Sequence, residues 1–134
     1  MNKLSQVDVD QFYGIEIAEW PARIAEVALW LMDHQMNIRL SEAFGQLYRR
    51  LPLKKSPHIN QANALRVDWK EVLPPDQCSY VLGNQPFIGQ SFQTQEQKAD
   101  QHLVLAHIQA RGVLDYVCNW YTTRGLVYYL CFGE

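Results

Sequence analysis

Short apolar runs of strand length alternate along this chain with longer stretches of helical period. That alternation narrows the fold more than any other feature of the sequence. Phe12-Tyr13-Gly14-Ile15-Glu16-Ile17 is a β-favouring run with an acid near its end, and reads as a strand. Residues 20–37 read as a helix, because Ile24, Val27, Ala28 and Leu31 recur at i, i+3, i+4 and i+7. Pro21 suits a first helical turn, where its missing N–H costs nothing. Trp30 and Met32 widen the apolar face, which predicts cover on more than one side. Ser41 predicts the start of a separate short helix reaching Tyr48. Pro52 and Pro57 then punctuate a polar connection.

The second half continues the alternation. Residues 59–67 read as a strand interrupted by Asn60, Gln61 and Asn63. Pro74-Pro75-Asp76 reads as a turn, residues 78–82 as the most strand-like run of all, and residues 83–95 as a loop. Thr94 with Gln97 three positions on has the form of a capping box. The helix it opens is striped by Ala99, Leu103, Ala106 and Ala110 and stopped by Gly112. Leu114, Val117, Cys118 and Tyr121 stripe a further short helix ended by Gly125, and residues 126–132 read as a last strand. The order β-α-loop-β-β-α-α-β predicts an α/β fold, a mainly parallel sheet with helices packed on its faces. Such sheets bind ligands beyond the carboxyl ends of their strands. Glu16 and Asn84 both fall at such ends.

Asn84-Gln85-Pro86-Phe87 follows the apolar run Tyr80-Val81-Leu82-Gly83. An amide, a rigid turn and an aromatic ring just past a strand suit a planar amine. The Asn side chain accepts one hydrogen bond from an amino group, the next backbone carbonyl accepts a second, and the Phe ring stacks on a base. The plainer reading of Asn84 alone is an ordinary turn residue. With 134 residues, 48% hydrophobic and 19% charged, the chain has material for one globular domain. A net charge of −2 argues against a strongly basic nucleic-acid surface spread over the whole chain, and Arg49, Arg50, Lys54 and Lys55 read more simply as a solvated loop. Cys78, Cys118 and Cys131 are odd in number and lack C-x-x-C spacing, so neither a disulfide framework nor a zinc site is expected. No run approaches the ~18 apolar residues of a membrane span, and residues 1–10 lack a signal core, so a soluble cytoplasmic protein with no membrane partner is expected. His34, His58, His102 and His107 show no metal-binding pairing, and Trp20, Trp30, Trp69 and Trp120 read as core. A generic nucleotide-binding module at the Glu16 edge is disfavoured by the lack of a phosphate loop of the Gly-x-x-x-x-Gly-Lys type.

Several segments, taken in order, resemble the central part of an N6-adenine DNA methyltransferase of the large single-chain restriction-modification type. They are Tyr13-Gly14-Ile15-Glu16-Ile17 with its following helix; Ala62-Asn63-Ala64-Leu65-Arg66-Val67-Asp68-Trp69; Tyr80-Val81-Leu82-Gly83-Asn84-Gln85-Pro86-Phe87-Ile88-Gly89; Gln95-Glu96-Gln97-Lys98-Ala99-Asp100; and Leu114-Asp115-Tyr116-Val117-Cys118-Asn119-Trp120-Tyr121. The third resembles the family's Asn-Pro-Pro-Phe/Tyr motif. The resemblance implies a Rossmann-like fold that uses S-adenosylmethionine, with cofactor contacts from Glu16, Ile17 and Asn63. A strand-end carboxylate such as Glu16 suits ribose hydroxyls, and the alternative for it is a helix-dipole acid. Asp68 is a second polar candidate near the cofactor, or a solvated acid. The resemblance assigns Asn84, Gln85, Pro86 and Phe87 to the catalytic site around a flipped adenine in DNA. Gln85 stands where the family usually has proline, and so keeps more backbone freedom.

The eleven residues before Phe12 leave no room for the family's first strand and glycine-rich cofactor loop. No target-recognition domain follows Tyr121. The expectation is therefore a partial methyltransferase domain over residues 1–134, inactive alone and binding the cofactor weakly. The alternative is a non-catalytic remnant that assembles with a second copy or a completing chain through its open sheet edges.

Overall fold

The computed structural model describes residues 6–45, 55–106 and 114–120. The chain divides into two compact units, Met1–Asn63 and Ala64–Glu134.

The first unit is a strand–helix–strand element. β1 (Tyr13–Glu16) and β2 (His58–Gln61) pair in parallel, Tyr13 opposite His58 and Glu16 opposite Gln61. Parallel neighbours require a long crossover, and α1 (Glu19–Phe44) lies within it. The ladder extends at both ends: His58 N donates to Phe12 O at 2.8 Å and Ala62 N to Glu16 O at 2.9 Å. The Tyr13 and His58 rings stack across the pair at 4.5 Å, so this histidine packs against a ring. The strands approach closely at Gly14, where a Cβ would stand 2.9 Å from Ile59 Cδ1 and push the end of that side chain aside. Ahead of β1, Asp8 caps a single 3-10 turn, Val9–Gln11. Lys55 binds Asp10 at 2.7 Å and Asp8 at 3.1 Å, which ties that turn to the start of the β2 segment.

Two expectations for α1 are corrected. The helix does not stop near Asn37 and restart at Ser41. The Ser41 hydroxyl donates back to Asn37 O at 2.8 Å, and Asn37 Nδ2 donates to Asp33 at 3.0 Å. Both polar side chains are satisfied within the helix, so neither interrupts it. It ends at Gly45, whose φ of +63° gives the left-handed C-cap that glycine accepts without strain. The stripe Ile24, Val27 and Leu31 has the helical period but is exposed, as is Trp20, while Ala22 and Asn37 are buried. Apolar residues ring this helix, so periodicity identified a helix without identifying the face that is covered. Trp30 is half-buried and donates its indole N–H to Lys55 O at 3.1 Å.

The second unit is built around Leu65, Val104, Leu105 and Tyr116, with Ile88, Leu114 and Trp120 packed against them. The strand expected over residues 59–67 is only β2, because residues 64–66 turn and Asp68 caps a short helix, α2 (Trp69–Val72), by accepting from Lys70 N at 3.1 Å. Trp69 locks the turn with an indole hydrogen bond to Ala64 O at 2.8 Å. The turn at Pro74-Pro75-Asp76 is present as a 3-10 turn, Pro75–Gln77. Residues 78–82 form no strand. Their composition favours one, but the sheet among the described residues holds only β1 and β2, and Tyr80 and Leu82 stand exposed.

α3 (Gln95–Val104) opens with the expected capping box. Gln97 N donates to Thr94 Oγ1 at 3.2 Å, and Thr94 N donates to Gln97 Oε1 at 2.9 Å. Its buried face is not the expected stripe. Ala99, Leu103 and Ala106 are exposed, and Asp100, Gln101 and Val104 are buried. The polar pair is buried because it has partners, described below. The helix expected around Leu114–Tyr121 is present in part: residues 116–117 turn and residues 118–119 are helical, with Cys118 N donating to Asp115 O, Asn119 N to Tyr116 O and Trp120 N to Val117 O. Tyr48, His107, Ala110, Gly112, Tyr121, Gly125, Cys131 and the strand expected at 126–132 lie outside the described residues.

Candidate methyltransferase site

Residues 84–87 occupy the irregular segment between α2 and α3. Asn84, Pro86 and Phe87 are exposed and Gln85 is half-buried. The Gln85 side chain lies over Gly83, where a Cβ would come within 2.6 Å of its amide nitrogen. The Phe87 ring is 79% exposed, yet its neighbour Ile88 packs against the core of the unit. Ile88 O accepts from Tyr116 N at 3.1 Å, and Phe92 N donates to Gly89 O at 2.9 Å to close the following 3-10 turn, Gln90–Phe92. An exposed aromatic ring is thus carried by backbone that is anchored immediately after it.

The other candidates belong to the first unit. Because β1 and β2 are parallel and in register, Glu16, Ile17 and Asn63 come together at one sheet edge, beyond the carboxyl ends of both strands. Glu16 is half-buried, and its Oε1 accepts the Ala18 N–H at 3.0 Å, just ahead of α1. Ile17 is exposed and Asn63 half-buried. Asp68, in the second unit, caps α2.

A set the sequence reading passed over lies beside the target motif's anchor. Arg66 Nε donates to Asp100 Oδ1 at 2.7 Å and Arg66 Nη2 to Glu96 Oε1 at 3.1 Å. The Tyr116 phenol interacts with the same Asp100 carboxylate. It is pushed up to about 12, first by burial and then by the negative charge of Asp100. Gln101 Nε2 donates to Leu114 O at 2.8 Å. The available signal was an acid spaced four residues ahead of Val104 on a helix, a position that packs inward whenever Val104 does.

The raised phenol has a consequence for stability. Unfolded Tyr116 ionises near its ordinary value of 10, while folded Tyr116 stays neutral to about 12. Its contribution is therefore complete below pH 10 and lost as pH rises from about 10 to 12. In denaturant melts, the stability difference between the wild type and Tyr116→Phe should shrink over that window. A difference that stays level would contradict the buried, acid-paired phenol.

Among the described residues no three His, Cys, Asp or Glu side chains gather into a metal-binding group, and Cys78 and Cys118 form no disulfide with each other. No helix among them is long and apolar enough to cross a membrane.

The family model for the MmeI DNA-methyltransferase domain matches residues 1–129. The chain belongs to this family. It is 37% identical over 118 residues to DNA methyltransferase A of Bacillus subtilis (strain 168), covering 86% of this chain and 13% of that protein. It also matches the solved structure of the Type IIL restriction-modification enzyme MmeI in complex with DNA. That match has a TM-score of 0.82 and 53% identity, and covers 88% of this chain and 16% of the other. The chain therefore spans a small part of the length of both relatives. Its matched sequence is that of the family's methyltransferase domain. The resemblance carried by the motifs is thereby established at the level of family, and the MmeI match extends to backbone arrangement.

Proposed function

We propose that this chain carries the target-base site of an adenine-N6 DNA methyltransferase. The observation that carries the reading is the exposed Phe87 ring on an anchored segment, three residues after Asn84, in a methyltransferase chain. A ring held out in water by ordered backbone is suited to stack on an unstacked base. The Asn84 side-chain oxygen and the Gln85 carbonyl accept the two protons of the exocyclic amine. Accepting both leaves the nitrogen lone pair directed at the incoming methyl group.

The sheet edge of the first unit suits the ribose end of S-adenosylmethionine. Glu16 is half-buried and oriented through one oxygen by the Ala18 N–H, and its other oxygen makes no hydrogen bond to a described residue. Glu16 would hold the ribose, with Ile17 and Asn63 beside it. When bound, S-adenosylmethionine would supply an electrophilic sulfonium methyl group, and Asn84 and Gln85 would hold the amine that receives it. The complete Rossmann-like sheet, like whole-enzyme methyl transfer and site recognition, is proposed for the domain assembled with its remaining segments.

The test compares two single-stranded oligonucleotides by fluorescence anisotropy at one salt concentration, one with adenine and one with purine, which lacks the 6-amine, at a single position. Tighter binding of the adenine oligonucleotide is expected. Equal binding would overturn the reading.

Gln85 gives a second expectation. Its N–H makes no hydrogen bond to described residues, and Pro86 already restricts it to extended backbone. Gln85→Pro should therefore fit, and should strengthen adenine binding by about 0.4–1 kcal/mol, because less backbone freedom is lost. Weaker binding in the same titration would show that the Gln85 side chain over Gly83 holds the segment instead.

A further inference from the structure

The buried face of α3 carries charge where an amphipathic helix would be apolar. Asp100 is 3% exposed, receives a hydrogen bond from Arg66 at 2.7 Å, and interacts with the buried Tyr116 phenol. Arg66 is held from its other side by Glu96 at 3.1 Å. One residue along the helix, Gln101, also buried, binds Leu114 O at 2.8 Å. These contacts converge on residues 114–116. From there a single backbone bond, Tyr116 N to Ile88 O at 3.1 Å, reaches the residue after Phe87.

The Asp100 carboxylate is buried while the Arg66 side chain is about half exposed, and such a pair adds little to stability because desolvation of the acid consumes much of the attraction. It does fix one arrangement, since any other setting of α3 leaves a buried carboxylate without partners. Resting on the target-base reading above, we infer that Asp100 is a positioning residue for the adenine site. Acting through Tyr116, it fixes the Ile88 carbonyl, and with it the backbone from which Asn84, Gln85 and Phe87 project. Misplacing these groups by a fraction of a bond length weakens amine recognition more than it weakens contact with the rest of a DNA strand.

The variants are Tyr116→Phe and Asp100→Asn, and the probes are the adenine and purine oligonucleotides. Tyr116→Phe keeps the ring that packs edge-on against Trp120 at 5.3 Å and removes only the hydroxyl. It should lower the adenine-over-purine preference roughly tenfold, the usual scale for losing an outer supporting hydrogen bond, and leave affinity for the purine strand unchanged. Asp100→Asn should act in the same direction. Thr94→Ala, which weakens the start of α3 without touching the network, should leave the preference intact. If Asp100→Asn fails to fold, Tyr116→Phe decides alone. An unchanged preference in folded Tyr116→Phe, or a parallel loss for both probes, overturns the inference while the target-base reading stands. A wild-type chain without adenine preference overturns that reading, and the inference with it.

Discussion

Asn84→Ala should abolish the preference for adenine over purine in single-stranded DNA while leaving affinity for the purine strand unchanged. The amide is exposed, so its removal leaves no orphaned group in the protein and no cavity. What disappears is an acceptor for the exocyclic amine. A well-placed base-edge contact is worth about 1–3 kcal/mol of discrimination, roughly tenfold to a hundredfold. Asn84→Asp is the sharper variant, because it keeps the acceptor oxygen. It should retain part of the preference, although a carboxylate beside a phosphate backbone lowers affinity for both strands. Anisotropy titrations of the three proteins with the two oligonucleotides check this. Equal losses on adenine and purine strands in Asn84→Ala would show that residue 84 contacts the strand without reading the amine.

Phe87→Ala is expected to weaken binding of both strands by about 1–3 kcal/mol, because stacking depends on the face of the ring and not on its substituents. The two variants thus separate two parts of one site, position 84 governing preference and position 87 governing affinity. Phe87→Trp should preserve or strengthen binding, since the larger surface stacks at least as well. The wild-type ring is already exposed, so Phe87→Ala should leave the thermal midpoint close to the wild-type value. A lowered midpoint would mean that the ring serves the fold of the second unit.

The elements legible in the sequence were those determined by neighbouring residues. β1, the start of α1 at its Pro21 turn, the proline turn at 74–76 and the Thr94–Gln97 capping box all rest on contacts within a few positions, and the structure places them as read. The parallel pairing of β1 with β2 followed from the intervening helix. What the local pattern could not supply was the identity of distant partners. Residues 78–82 have strand composition and no strand neighbour among the described residues. Ile24, Val27 and Leu31 have the right spacing and no cover. On α3 the expected stripe was misplaced: Leu103 read as core and is exposed, while Asp100 is buried because a guanidinium from position 66 pairs with it. Asp68 caps α2, a local role that the spacing of residues 68–72 did not announce.

The candidate site divides in the same way. Its residues were legible through the motif, and their anchoring was not. Ile88, Tyr116 and Asp100 join through a backbone hydrogen bond and a buried carboxylate that no spacing rule announces. The polar edge formed by Glu16, Ile17 and Asn63 was partly visible, since both strands had to end together once they ran parallel.

The measurement that bears most directly on the adenine cup is the nitrogen-15 resonance of the Asn84 side-chain amide, followed as the adenine oligonucleotide is added. A saturable shift, shared by the backbone amides of Phe87 and Ile88 and absent with the purine oligonucleotide, is the result predicted here. Shifts confined to residues outside 84–88, or equal shifts with both oligonucleotides, would contradict it.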